Sequence, residues 1–385
     1  MSRLRPYILP VLFACALMLP AFNSIFSVWE FERKDENRTI APFPKFDINY
    51  LDGFPCQFED WYNDAFSFRT PLLKFFHKAM VDAFRVSPDP SKTIIGANGQ
   101  MFQGGKERKI VEGKLQLSEV QLDSLELIWA DRMAYFSAKG IKCYWFIIPI
   151  KEHVYPELLP LQVIPGKGPR RAEQIKQRLN GRFPGLVHDL LPPVVAAKDT
   201  STLYFMFDNH WNYEAGAVAA REILRVVTKD FANVNPVPYE KVSWTDSLRL
   251  IGFHRVVLGD DNTDDPYRYP KSSASRARTV DRYGFKSIPS FPYPWDYENR
   301  YRIEGDTTAP RALIIRDSFT DFTRPFLVEA FSETVLIFDS WQFRANRHIV
   351  ETVMPDLVIY CSLESFIEGH LGHEKEVREG RETDE

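Results

Sequence analysis

Residues 141–149, IKCYWFIIP, constrain this chain more than any other stretch. The run is apolar almost without interruption and shows no alternation, so neither face of a strand built from it can meet water. Three further strand-like runs come near the C-terminus, at 311–315, 334–338 and 356–360, with helical patterns between them at 321–331 and 345–354. Buried strands that alternate with helices predict a parallel sheet covered on both faces. Ligands of such sheets collect at the carboxyl ends of the strands.

The earlier part of the chain fits the same plan. Residues 118–139 read as an amphipathic helix, with Ser118 as N-cap and Gly140 as its stop. Helical patterns recur at 170–179 and 214–227, and 203–207 reads as a strand. Residues 58–84 read as two helical segments, the second opening near Pro71. Asn98-Gly99 between two short apolar runs signals a hairpin at 93–102. Residues 229–308 are rich in Pro, Asp, Tyr and Arg and weakly periodic. They read as loops and short strands over one end of the sheet.

Two short stretches carry chemistry. Asp208 and His210 lie in FDNHW, behind the strand-like run at 203–207. Ser318 lies in RDSF, where an apolar strand stops and a helix begins. A serine becomes a nucleophile when a base removes its proton and a third group orients that base. Ser318, His210 and Asp208 can fill those three roles. Ser318 also places its own N–H near a helix N-terminus, where an oxyanion can be met. Simpler readings stand beside this one. Asp317 or Ser318 can be an N-cap, and His210 with Asp208 can be a structural pair. Asp208, His210 and Asp317 are conceivable metal ligands, but no spacing supports them and no second histidine is near. Trp211 is read as packing on the sheet and fixing the loop of His210, with substrate contact as the alternative. Tyr204 and Trp341 can stack on a sugar, although core packing explains them as well. Arg316, Arg344 and Arg347 can meet an acidic sugar.

Compartment is read from the N-terminus. Arg3 and Arg5 precede residues 7–28, which hold no charge. That length suits a transmembrane signal-anchor, with residues 1–6 in the cytoplasm and the body outside. A cleaved signal peptide is the alternative. Residues 29–57 then form a stalk, 58–368 the main domain and 369–385 a charged, disordered tail. The net charge of −4 gives no reason to expect nucleic acid. Of the cysteines, Cys15 lies in the apolar run, leaving at most one disulfide among Cys56, Cys143 and Cys361, and buried free thiols are expected for Cys143 and Cys361.

Several motifs, taken in order, resemble the alginate O-acetyltransferases of the AlgJ/AlgX type and, more broadly, the DHHW family of SGNH-hydrolase-like proteins. They are Glu36-Asn37-Arg38 with Pro42, then Asn63-Asp64-Ala65-Phe66 with Phe68-Arg69. Next come Ile95 to Phe102, with Gln100 where tryptophan is usual, Ile148-Pro149-Ile150-Lys151, and Tyr155-Pro156-Glu157. Asp208-Asn209-His210-Trp211 and Asp317-Ser318-Phe319 follow, with Arg316 where glycine is frequent. Pro355-Asp356-Leu357-Val358 and Glu364 close the series, with Ser365 in place of an arginine. The resemblance implies a three-layer α/β/α SGNH-like domain with Ser318 as nucleophile, His210 as base and Asp208 as its partner. It implies acetyl transfer to an alginate-like exopolysaccharide outside the cytoplasmic membrane. It further implies work beside a membrane-bound O-acyltransferase and exopolysaccharide assembly proteins. Such a triad needs no metal or nucleotide cofactor. An esterase with the same triad and a non-catalytic polysaccharide scaffold are the alternatives.

Overall fold

The computed structural model describes residues 5–26, 28–29, 41–234, 242–249, 265–271, 275–287, 291–339 and 347–371. The chain divides into two compact units, residues 1–88 with 258–260, and residues 89–257 with 261–385.

In the first unit the described helices of at least eight residues are α1 (Arg5–Phe26), α2 (Phe54–Ala65) and α3 (Arg69–Phe84). The last two are the paired segments the pattern placed at 58–84, and Pro71 falls in the first turn of α3, where a missing N–H costs nothing. Helix α1 corrects an expectation. Among the described residues no helix is long and apolar enough to cross a membrane, so the span expected at 7–28 is not supported. Pro10 and Pro20 lie inside α1 and each removes a backbone donor from its ladder. Asn23 brings a buried amide into its last turns, where it donates to the Trp29 carbonyl and accepts from the Trp29 N–H at 3.0 and 2.8 Å.

The second unit opens with the hairpin of β1 (Thr93–Ile95) and β2 (Met101–Gln103). Asn98 and Gly99 in its loop have φ of 56° and 76°, the left-handed region that this pair of residues tolerates. There follow α4 (Lys106–Val111), α5 (Glu119–Ala138), β3 (Lys142–Ile148), α6 (Lys151–Val154), α7 (Arg171–Arg182), β4 (Val187–Asp189), α8 (Leu191–Ala197) and α9 (Tyr213–Val227). Then come β5 (Ser243–Arg249), β6 (Asp265–Lys271), β7 (Ala277–Thr279), β8 (Glu298–Ile303) and β9 (Arg311–Arg316). The chain continues through α10 (Thr320–Leu327), β10 (Glu333–Phe338), α11 (Arg347–Val353), β11 (Leu357–Leu363) and α12 (Glu368–Leu371). Ser118 caps α5 reciprocally with Gln121, and Gly140, at φ 71°, ends the turn after it, as the sequence predicts.

Seven strands form one sheet in the order β4-β3-β11-β9-β10-β8-β7. The first five are parallel, as the apolar runs predict, and β9 is the central strand. The sheet is nevertheless mixed, because β8 and β7 add to β10 antiparallel. Both come from the weakly periodic 229–308 stretch, whose remaining described strands, β5 and β6, pair only with each other. Alternate residues of the parallel strands enter two cores. Phe146, Ile314 and Ile359 pack with Ala215 and Ile223 of α9, whereas Trp145, Ile315 and Val358 pack with Trp129 of α5 and Ile175 of α7. This period-two division is what a sheet with helices on both sides requires. Cys143 and Cys361 are buried, and all four thiols are free.

Candidate active site

Two turns, one on each side of β9 in sequence, deliver the site. The first is the loop 203–212. It was expected to begin as a sheet strand, but the structure closes it on itself. Tyr204 and Trp211 form an isolated antiparallel bridge, Phe205 N–H donates to the His210 carbonyl at 3.2 Å, and Asn212 N–H donates to the Leu203 carbonyl at 2.9 Å. The outward groups find partners elsewhere: Leu203 N–H on the Tyr155 hydroxyl, Phe207 N–H on Asp265 Oδ2, and the Met206 carbonyl on Met101 N–H. Its backbone is therefore satisfied without sheet pairing. Asn212 then caps α9, accepting from Glu214 and Ala215 N–H.

The second turn follows β9. Asp317 is fully buried and bridges two elements, with Oδ1 accepting from Phe319 N–H at 3.0 Å and Oδ2 from Leu363 N–H at 2.6 Å. Burial pushes its carboxyl up to about 6 against those two donors. The helix that follows begins at Thr320 with Phe319 as its N-cap and no side-chain cap, so neither Asp317 nor Ser318 is the N-cap that the sequence allowed, and Ser318 faces His210. Among the described residues the Ser318 N–H donates to no protein acceptor. It is therefore available to an oxyanion.

The turns meet through four residues. His210 Nε2 lies 2.8 Å from Ser318 Oγ, and His210 Nδ1 lies 2.7 Å from Asp208 Oδ1. The same Oδ1 accepts from the His210 backbone N–H at 2.9 Å, so carboxylate and ring are locked in one local turn. One residue further along each turn, Trp211 Nε1 donates to the Phe319 carbonyl at 2.7 Å. Trp211 is completely buried, which places it as the brace between the two turns. The His210 ring lies between Ser318 and the Phe319 ring, whose centroid is 4.5 Å away. Such a chain of hydrogen bonds sets the Nδ1–H tautomer and lets Nε2 take a proton from Ser318.

The remaining sequence candidates fare differently. Arg316, expected at an acidic sugar, is wholly buried. Its guanidinium pairs with Asp296 Oδ2 at 2.8 Å and Asp321 Oδ1 at 3.2 Å and lies 4.3 Å from the centre of the Phe338 ring. An arginine at the end of an apolar strand can be drawn inside when two carboxylates meet it there. Tyr204 is buried in the core and donates to the Pro149 carbonyl. Trp341 and Arg344 lie outside the described residues. Sequence reasoning gave no role to Lys151, although a lysine directly behind the apolar run FIIPI is a signal for a buried amine. It is 1% exposed, with its Nζ among the carbonyls of Met101, Phe205, Met206 and Asp208.

A mixed α/β sheet between two helical layers, with a serine turn behind the central strand, places the second unit in the SGNH-hydrolase-like class. Residues 101–283 match the family described as the SGNH hydrolase-like domain of the acetyltransferase AlgX, a likeness that supports an O-acetyltransferase. The matched segment contains Asp208 and His210 and ends before Ser318. No curated protein matches the chain in sequence. Among solved structures, PatB1 of Bacillus cereus superposes with a TM-score of 0.50 at 13% identity, covering 70% of this chain and 94% of its own. The O-acetyltransferase domain of Pseudomonas putida AlgJ gives 0.47 at 12% identity, with 74% and 95% covered. A DHHW family protein of Eubacterium siraeum gives 0.47 at 14%, with 72% and 97% covered.

Proposed function

We propose that the protein transfers acetyl groups to hydroxyls of an exopolysaccharide through an acyl-enzyme on Ser318. The observation that carries this is the unbroken Asp208–His210–Ser318 hydrogen-bond chain, with links of 2.7 and 2.8 Å. In the first half-reaction Ser318 Oγ attacks the acetyl carbonyl while His210 Nε2 takes its proton. The Oγ–C bond forms, the bond to the donor's leaving group breaks, and that group departs with the proton from His210. In the second half-reaction a sugar hydroxyl gives its proton to His210 and attacks the acyl carbon, and Ser318 leaves reprotonated. Asp208 keeps the imidazolium oriented throughout, and the Ser318 N–H meets the oxyanion in both steps.

Two exposed aromatic rings offer a sugar acceptor a seat. Tyr293 and Trp295 are exposed, with ring centroids 5.8 Å apart, and offer aromatic faces on which a pyranose can stack. Asp296, in the same turn, is bonded to Arg316, which ties this turn to the end of β9, two residues before Ser318. The location outside the cytoplasm rests on residues 1–28, where two arginines precede an uncharged run, the pattern of a segment that directs export. In that compartment a membrane-bound O-acyltransferase is the expected source of acetyl groups, and exopolysaccharide assembly proteins the expected neighbours.

The test is mass spectrometry of the protein incubated with an activated acetyl ester, with and without an oligosaccharide. Acetylation of Ser318 that disappears in His210→Ala, and transfer to the oligosaccharide, are expected. Release of free acetate with no transfer makes the enzyme an esterase. A folded protein that gives neither adduct nor turnover is a scaffold.

A further inference from the structure

The Ile148-Pro149-Ile150-Lys151 motif has no part in the chemistry above, yet its lysine reaches the catalytic loop from below. Lys151 Nζ lies 2.5 Å from the Met101 carbonyl, 2.6 Å from that of Phe205, 3.2 Å from that of Met206 and 3.0 Å from that of Asp208. Three of these oxygens belong to the short segment that ends at the orienting carboxylate, and the fourth belongs to β2. We propose that Lys151 is a positioning residue that fixes the Asp208–His210 turn through these backbone carbonyls. The inference rests on the reading of Ser318, His210 and Asp208 as a triad.

The geometry favours the charged form. An ammonium has three hydrogens for the four oxygens, whereas a neutral amine has two and must turn its lone pair on a carbonyl. Burial works the other way and brings the amine down to about 7, with Glu152, Asp265 and Asp208 pulling it back up when ionised. Burial also raises the Glu152 carboxyl to about 8 and that of Asp265 above its ordinary value, so the Lys151→Arg comparison is what separates the lysine from these acids. The Phe102 ring, centred 5.3 Å from Nζ, closes the remaining side. Loss of the proton therefore loosens the segment that carries Asp208 without touching substrate. A one-ångström displacement of a catalytic group costs about 10²-fold in rate.

The experiment compares full-length wild type, Lys151→Met and Lys151→Arg. It reads Ser318 acylation by p-nitrophenyl acetate from pH 6 to 9, and the downfield proton NMR signal of the imidazole N–H that His210 shares with Asp208. Lys151→Met is expected to lower kcat by about 10²-fold with KM nearly unchanged, and to lose or shift that signal. Wild type is expected to lose rate on an alkaline limb that the permanently charged Lys151→Arg lacks. A folded Lys151→Met with wild-type rate, pH profile and N–H signal overturns the proposal. If Lys151→Met does not fold, an alkaline limb retained in Lys151→Arg overturns it instead. If wild-type Ser318 takes no acetyl group, the triad reading has failed, and the N–H signal still reports whether Lys151 holds the pair.

Discussion

Asp208 makes two hydrogen bonds to His210, one to the ring and one to the backbone, so its replacement separates orientation from folding. Asp208→Asn keeps the shape, but one oxygen receives both bonds, so an amide turned to donate from its nitrogen to Nδ1 favours the wrong tautomer and gives up the bond from the His210 N–H. Acylation of Ser318 is expected to fall by about 10⁴-fold in kcat with little change in melting temperature, checked by stopped-flow kinetics beside calorimetry. These three residues were legible in the sequence because each stands where an apolar run ends in a polar turn. Trp211 was legible as the residue that fixes the loop of His210, because an indole beside that histidine has few other ways to be buried; its bond to the Phe319 carbonyl, across to the second turn, was not. Arg316 was misread, since an arginine is taken as exposed unless its partners are visible. Its partners, Asp296 and Asp321, are 20 and 5 residues away in sequence. Lys151 was passed over for a related reason: its partners are main-chain carbonyls, which leave no mark on a sequence.

At the scale of elements, His210 rides into α9 and Ser318 into α10, so the separation of those helices helps to set the bond between them. Gly216 of α9 lets them close. A Cβ built there falls 2.0 Å from the Phe322 carbonyl oxygen, a backbone atom that can give way only if α10 moves. Gly216→Ala is therefore expected to lower kcat by about 10²-fold while the acyl donor's KM holds. An unchanged kcat in the folded variant would show that the two turns are positioned without the helices. The central parallel strands were legible because burial on both faces leaves an unbroken apolar run. The antiparallel edge was not, because β8 (ENRYRI) is polar and is held by charge. Glu333 of β10 accepts from Arg300 and Arg302 of β8 and from Tyr283, at 2.7, 2.8 and 2.9 Å. Burial raises its carboxyl, but these donors outweigh it and hold the group at about 2, below its ordinary 4.5. A carboxylate with a lowered pKa stabilises the fold fully above 4.5, and that contribution is lost as pH falls towards 2. Glu333→Gln is expected to flatten the fall of melting temperature between pH 5 and pH 3 in thermal scans and to cost about 3 kcal/mol at neutral pH.

For the whole molecule, the decisive question is on which side of the membrane the acetyl group is moved. The proposed export rests on residues 1–28, read by charge and hydropathy alone, and α1 with Pro10 and Pro20 inside it does not qualify as a span. The location therefore needs a chemical reporter, and the cysteines supply one. Cys56 is exposed, whereas Cys143 and Cys361 are buried and burial raises both thiols far above their ordinary value. A thiol in that state is nearly unreactive to maleimides, because the thiolate is the nucleophile. Cys15 is also exposed, so Cys15→Ser leaves Cys56 as the one accessible thiol among the described residues. In intact protoplasts a membrane-impermeant maleimide is expected to label Cys15→Ser at Cys56 without lysis, and to leave the Cys15→Ser/Cys56→Ser protein unlabelled. Labelling that requires lysis would put Ser318 in the cytoplasm, away from any exported polymer. The acceptor would then have to be a precursor sugar acetylated before export, and the same triad would serve a different substrate.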